Sequence, residues 1–304
     1  MAKEFLCFME MLPPDIKMLV IDIDGTLLTP QRQISERTRM AIRAAQEEGI
    51  VVTLATGRRY TNTAPLADAL GLSIPLIVCD GALILQHPQI TIVHTQTLSA
   101  TVAQAAVEIL ARHGVQPVVH HMNGVQEEVW TGPTELDNAW IADYFATFPE
   151  QLRRFPLETI CRNQPDPLRV VAFASEEEIY TLDPEISALD CSWNAIKQGN
   201  YGSAEMAIMH RECSKASGMA YLAKSLNIAL EQVMAIGDNN NDLEMLAAAG
   251  WSVAMGQASE SIKAAACAVT ASNAEDGVAQ AIERYALRRV ASADSNSFKR
   301  ETCL

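Results

Sequence analysis

Short apolar runs alternate along this chain with amphipathic stretches of helix length, and the runs keep ending in small polar turns. The first run, Met18-Leu19-Val20-Ile21, passes straight into Asp22-Ile23-Asp24-Gly25-Thr26-Leu27. Apolar runs of this length bounded by turn residues predict strands covered on both faces. After a polar loop over 29–33, Ser35 is placed to cap a helix over 37–48 that stops at Gly49. A second strand over 50–55 ends in Thr56-Gly57-Arg58, a helix spans 60–70, and a third strand over 75–79 stops at Asp80-Gly81-Ala82. Strand, helix, strand, helix, strand at these spacings predicts right-handed crossovers and a parallel sheet.

The texture then changes. Between 83 and 197, strand-like pieces near 91–94, 117–121 and 168–174 mix with helices near 99–112 and 137–145, without a phosphate-cradling or nucleophile motif. This stretch reads as a separate α+β domain inserted into the first. Past it come a strand over 205–209 and a helix over 214–226 whose first turn carries Lys215, although helix starts favour negative charge. A strand over 232–236 ends in Gly237-Asp238-Asn239-Asn240-Asn241-Asp242. Helices over 243–249, 259–266 and 276–286 and strands over 251–254 and 268–270 complete the pattern. The expected fold is α/β, a Rossmann-like parallel sheet core with an inserted α+β cap domain. Residues 1–16 read as a leader, 17–83 and 198–286 as the core, 84–197 as the insert, and 287–304 as a disordered tail.

Composition narrows the function classes. A chain of 304 residues, 49% hydrophobic and 20% charged, is long enough for a full core and comfortable as two domains. Its formal charge of -14 argues against a nucleic-acid backbone or an anionic membrane as main partner. Seven cysteines with no CxxC spacing suggest reduced thiols in a cytoplasm. There is no apolar segment of about 18 residues, and the N-terminus is too mixed in charge for a secretory signal.

Three strands therefore end in Asp22/Asp24, Thr56 and Asp238/Asp242, and a lysine opens one helix. Side chains two apart on a strand share a face, so Asp22 and Asp24 could converge on one bound group if the extended geometry persists. Close carboxylates in a buried crevice repel one another unless a proton or a cation intervenes. Gathered at one sheet edge, the residues supply carboxylates for a hard cation, a hydroxyl with the turn amides at Thr56-Gly57 for anionic oxygens, and a fixed positive charge. That set suits phosphoryl transfer with Mg²⁺, since zinc prefers nitrogen and sulfur. A carboxylate can also act as nucleophile through an aspartyl-phosphate.

Asp22-Ile23-Asp24-Gly25-Thr26-Leu27, Ala55-Thr56-Gly57-Arg58, Lys215 and Gly237-Asp238-Asn239-Asn240-Asn241-Asp242 resemble the four ordered motifs of the haloacid dehalogenase superfamily. Val253-Ala254-Met255-Gly256-Gln257-Ala258 and Glu275-Asp276-Gly277-Val278 resemble the C-terminal pattern of its Cof-like hydrolases, so the similarity covers roughly residues 17 to 284. The resemblance implies a cap inserted between the second and third motifs and a Mg²⁺-dependent phosphatase of small phosphorylated metabolites, whether sugar or cofactor phosphates. It implies Asp22 as nucleophile and metal ligand. Asp24 would protonate the leaving oxygen, then activate water, and bind Mg²⁺ through its main-chain carbonyl. Thr56, Gly57, Lys215 and Asn241 would hold the phosphoryl group, with Lys215 also orienting Asp22. Asp238 would be the third metal ligand, supported by Asp242. The group usually carries Asn-Gly-Ala after the third strand where this chain has Asp80-Gly81-Ala82.

Other features have bland readings. Arg58 is as well suited to a structural ion pair as to a phosphate contact. His113, His120 and His121 lack carboxylate or cysteine partners at matching spacing for a metal. Trp130, Trp140 and Trp193 could stack a substrate ring, but aromatics in a small domain more often form its core. Cys213 reads as packing rather than a reactive thiol. A phosphomutase would use the same aspartyl-phosphate, and a phosphometabolite-binding or regulatory protein would keep the site without turnover. The oligomeric state leaves no signal.

Overall fold

The structure is a computed structural model that describes residues 15–147, 149–196 and 202–287. Most of the expected leader and all but the first residue of the expected tail lie outside the described residues. The chain opens with β1 (Met18–Ile21), α1 (Glu36–Glu47), β2 (Val51–Leu54), α2 (Tyr60–Ala69) and β3 (Pro75–Val78). Next come β4 (Leu83–Gln86), β5 (Thr91–Thr95), α3 (Ala100–Arg112), β6 (Pro117–Asn123), β7 (Gln126–Thr131), α4 (Ala139–Ala146) and β8 (Leu152–Arg154). They are followed by β9 (Arg169–Ala174), α5 (Glu176–Ile186), β10 (Cys191–Ile196) and β11 (Ala204–His210). The chain returns through α6 (Lys215–Ser225), β12 (Val233–Gly237), α7 (Leu243–Ala248), β13 (Trp251–Ala254), α8 (Glu260–Ala265), β14 (Ala268–Val269) and α9 (Gly277–Tyr285).

The core sheet runs β14-β13-β12-β1-β2, with every pairing parallel. All of β1 and β12 is buried, because helices cover both faces. The two-residue pleat sorts their side chains. Leu19, Ile21, Met234 and Ile236 pack with Ile42 of α1 and Ile282 of α9, whereas Met18, Val20, Val233 and Ala235 pack with Leu222 of α6 and Met245 of α7. Fully burying a side chain of this size contributes about 1.5–3 kcal/mol. Ser35 caps α1 by accepting the Thr38 amide, as expected of a hydroxyl on extended backbone.

The third strand departs from expectation. β3 touches the parallel sheet through one bridge, Ala55 to Ile77, and otherwise pairs antiparallel with β4, which pairs with β5. Leu83 and Leu85 of β4 pack in the same apolar cluster as Leu19 and Ile21 of β1.

The second sheet runs β10-β11-β9-β6-β7-β8 and is antiparallel except for β7 with β8. β11, expected within the core segment after 197, hydrogen-bonds here between β9 and β10. A short apolar strand does not declare its sheet, and its register with β9 decides it. One face of this sheet, with Val119, Val170 and Ile208, is covered by α3 and α5. The other face, with Val118, Val171, Phe173 and Ala207, packs with α4 and turns towards the core.

Candidate active site

Because β12, β1 and β2 are parallel neighbours in register, their C-terminal ends coincide and bring Asp238, Asp22 and Thr56 to one edge. β1 ends at Ile21, so the pleat expected to align Asp22 with Asp24 does not continue. A wide turn replaces it, in which the amides of Leu27 and Leu28 return to the carbonyls of Asp22 and Ile23 at 3.1 and 3.0 Å. Gly25 makes the turn possible: its φ is +86°, and a Cβ there would collide with the Asp238 carboxylate. Thr26 Oγ1 donates to Asp238 Oδ1 at 2.7 Å, tying the turn to the end of β12.

Lys215 explains its unusual place at a helix start. Its Nζ donates to Asp22 Oδ1 at 2.6 Å and to Asp242 Oδ1 at 2.7 Å. The side chain is 1% exposed, so these are buried charge pairs. Burial works to lower the lysine's pKa, but the charges of Asp22 and Asp242 prevail and hold it raised. Asp22 is raised well above the usual carboxylate range by burial and then by the Asp242 charge, with Lys215 opposing. Asp238 is pushed up to about 6, chiefly by burial, while the hydrogen bond from Thr26 opposes the shift.

Ligand oxygens of Asp22, Asp238 and Asp242 all lie within 4.8 Å of one another. An all-oxygen donor set in which burial and neighbouring carboxylates raise Asp22 and Asp238 fits a hard divalent cation, which would relieve that repulsion. Asp242 is largely occupied already. Its Oδ1 takes Lys215, and its Oδ2 accepts the amides of Asp238 and Asn239, both at 3.0 Å. Asp22 and Asp238 are thus the carboxylates suited to contact a cation, with Asp242 shaping the loop that carries Asp238.

Asp24 is engaged by Arg58, whose Nε and Nη2 donate to its two oxygens at 2.6 Å each. Thr56 Oγ1 accepts the Arg58 amide at 3.1 Å, which leaves its own proton free to be donated elsewhere. Asn241 Nδ2 donates to Asp80 Oδ1 at 3.0 Å. Asp22, Asp24, Thr56, Gly57, Asp238 and Asn241 all line one cavity of about 780 Å³ between the edge of the core sheet and the second sheet. Tyr144, Val171, Phe173, Asn194, Ile196 and Glu205 line its other side. Lys215 and Asp242 do not line it; they sit beneath its floor, within reach of Asp22.

The model of the haloacid dehalogenase-like hydrolases matches residues 19–282. The chain belongs to that family. The 5-amino-6-(5-phospho-D-ribitylamino)uracil phosphatase YcsE of Bacillus subtilis is 31% identical over 279 residues, covering 90% of this chain and 97% of its own. The pyridoxal phosphate phosphatase YbhA of Escherichia coli is 27% identical over 275 residues, with 88% and 97% covered. Among solved structures, a haloacid dehalogenase-like hydrolase from B. subtilis superposes with a TM-score of 0.74 at 27% identity, covering 88% of this chain and 99% of that one. A subclass IIB sugar phosphatase of the superfamily superposes with a TM-score of 0.72 at 26% identity, covering 88% and 98%. This haloacid dehalogenase-like hydrolase is thus an enzyme of phosphatase type, with the parallel core and additional cap sheet of its relatives.

Sequence reasoning overlooked part of the site. Tyr144 and Phe173 are the aromatic residues lining the cavity, and Trp130, Trp140 and Trp193 are not among the lining residues. Trp130 stacks on His121 with centroids 3.7 Å apart, and Trp193 Nε1 donates to Ser187. The histidines are also dispersed: His120 meets the Tyr144 hydroxyl, and His113 meets Glu185. Among the described residues the only metal-suited group is the aspartate one. Cys213 is buried, and burial pushes its thiol pKa upward, as befits packing. Arg169 was missed altogether, although a lone cation heading an otherwise apolar strand was a signal. Among the described residues no helix is long and apolar enough to cross a membrane.

Proposed function

We propose that this hydrolase is a Mg²⁺-dependent phosphatase of small phosphorylated metabolites that works through an aspartyl-phosphate on Asp22. The observation that carries this reading is that Asp22, which lines one cavity beside Asp238, is held from below by the buried Lys215 at 2.6 Å. Lys215 keeps Asp22 oriented and supplies a fixed positive charge beside the phosphoryl group. An Asp22 carboxylate oxygen attacks phosphorus, and the bond to the leaving oxygen breaks. Asp24, carrying a proton, donates it to that oxygen and then takes one from the water that hydrolyses the acyl phosphate. For this, Arg58 must loosen its hold on Asp24, since a bidentate guanidinium favours the ionised form. Thr56 Oγ1, the turn at Gly57 and Asn241 hold phosphoryl oxygens. Asp22, Asp238 and the Asp24 main-chain carbonyl would hold Mg²⁺, which when bound polarises the P–O bond and offsets the crowded negative charge.

The relatives' named substrates support a small phosphorylated metabolite. Besides the two described above, one relative is the HMP-PP phosphatase of Serratia proteamaculans. Phe173, Tyr144 and Ile196 beside Asn194 and Glu205 suit a leaving group with both apolar and polar parts. A net charge of -14 agrees with a soluble metabolite as partner rather than nucleic acid or membrane, and we place the enzyme in the cytoplasm. The test is phosphate release from a panel of phosphorylated metabolites, with and without Mg²⁺. We expect metal-dependent release that falls by about 10³-fold or more in Asp22→Asn. Near-wild-type turnover by that variant would overturn the assignment.

A further inference from the structure

Asp80 and Arg169 belong to none of the steps above, yet both line the cavity and both are nearly inaccessible, at 3% and 5% exposure. Arg169 heads β9 in the cap sheet, whereas Asp80 follows β3 in the core. Arg169 Nη1 donates to Asp80 Oδ2 at 2.9 Å, and Nη2 donates to the Gly57 carbonyl at 2.7 Å. One guanidinium fork thus grips two core loops at once, each through its own nitrogen.

Each grip fixes a group in the phosphoryl site. The peptide between Gly57 and Arg58 is planar, so its carbonyl and its N–H point in opposite directions. Arg169 holds the carbonyl while the N–H donates to Thr56 Oγ1 at 3.1 Å. The hydroxyl is then left with its proton facing another acceptor. On the other side, Asp80 Oδ1 accepts from Asn241 Nδ2 at 3.0 Å. A carboxylate only accepts, so it dictates which end of the Asn241 amide faces it. Asp80 itself is held in the left-handed region at φ +55°, with its amide on the Thr56 carbonyl at 2.9 Å. The next residue, Gly81, at φ +98°, has no room for a Cβ against the Ser214 carbonyl at the start of the helix that carries Lys215. A second contact seats the cap without Arg169. Glu127 of β7 accepts the Tyr60 amide at 3.0 Å and the Thr61 hydroxyl at 3.3 Å, at the N-terminus of α2.

We propose that Asp80 and Arg169 are a positioning pair, which orients Thr56 and Asn241 for the phosphoryl group and makes that orientation depend on the cap sheet being seated. The proposal rests on the phosphatase reading for the identity of the bound group. Its test uses Asp80→Asn, Arg169→Met and the double variant in the full chain, with p-nitrophenyl phosphate turnover, inhibition by inorganic phosphate, and calorimetric binding of inorganic phosphate.

Each single variant is expected to raise KM and to weaken phosphate binding in parallel by about tenfold, with kcat within about threefold, because ground and transition states lose the same contacts. The double variant is expected to be no worse than the poorer single one, since the two residues act as one unit. If Arg169→Met does not fold, Arg169→Lys replaces it, and loss of one of the two grips should give a smaller rise in KM. Multiplied effects in the double variant, or unchanged KM and phosphate affinity in the singles, would overturn the pairing. A wild-type enzyme that binds phosphate without releasing it from esters would overturn the phosphatase reading alone, and the affinities would still test the pair.

Discussion

The two sides of the cavity handle buried polarity in opposite ways. At the core edge, an ammonium and two carboxyl groups are buried against one another. Lys215, Asp22 and Asp242 are almost wholly inaccessible and linked by contacts of 2.6 and 2.7 Å. Within the cap, apart from Arg169 and Glu127, which reach groups of the core, the buried histidines are neutral: desolvation depresses both His120 and His121, the latter to about 4. His121 lies stacked on Trp130, and its Nε2 has no hydrogen-bond partner among the described residues. A site that must stabilise a phosphoryl group needs fixed charge and few reorganising dipoles. A cap that lines one side of a pocket needs packing, and a neutral imidazole packs as an aromatic ring.

The sharpest way to break this comparison is Lys215→Met. It leaves Asp22 and Asp242 facing one another without a cation, and removing one partner of such a buried set costs about 3–5 kcal/mol. Denaturant unfolding of the metal-free protein should show that loss, and turnover should fall by about 10²-fold or more. A stable, active Lys215→Met protein would mean that the core charges are not paired as they stand.

A smaller effect distinguishes the two regions by what they answer to. Mg²⁺ at a hundred times its Kd should stabilise the wild type by about 2.7 kcal/mol, read as a rise in Tm. Asp238→Asn should abolish that rise, and substitutions at His120 or His121 should leave it intact.

The cap should answer to protons instead. The unfolded chain binds a proton on His121 below its ordinary pKa of 6.5, whereas the folded protein resists until about 4. The unfolded state therefore holds more protons across that window, and stability is lost as pH falls through it. Between pH 7.5 and 5 this amounts to about 2 kcal/mol. His121→Gln should lose less stability than wild type by about that amount, and the opposite contribution of Asp238 cancels in the difference. Equal losses in the two proteins would contradict a neutral buried His121.

What the sequence alone could determine was governed by local rules. β1, β2, β12 and β13 were visible as apolar runs, α1 as a capped helix, and α2, α6 and α9 as stretches of helix length, because burial on both sheet faces and helix signals leave marks within ten residues. The candidates Asp22, Asp24, Thr56, Asp238 and Asp242 were visible for the same reason, since each follows a buried strand in a polar turn. Tertiary structure decided what depends on partners far along the chain. It decided that β11 joins the cap sheet and that β3 turns antiparallel with β4, since register is chosen between strands rather than within one. It alone revealed β7, rich in glutamate, and β10, half-buried throughout at a sheet edge, whose sequences carry no continuous apolar signal. It also set Lys215 against two carboxylates 193 and 27 residues away, and Arg169 against an aspartate 89 residues away. A buried charge is tolerable only where its counter-charge arrives, and that arrival is a property of the folded chain.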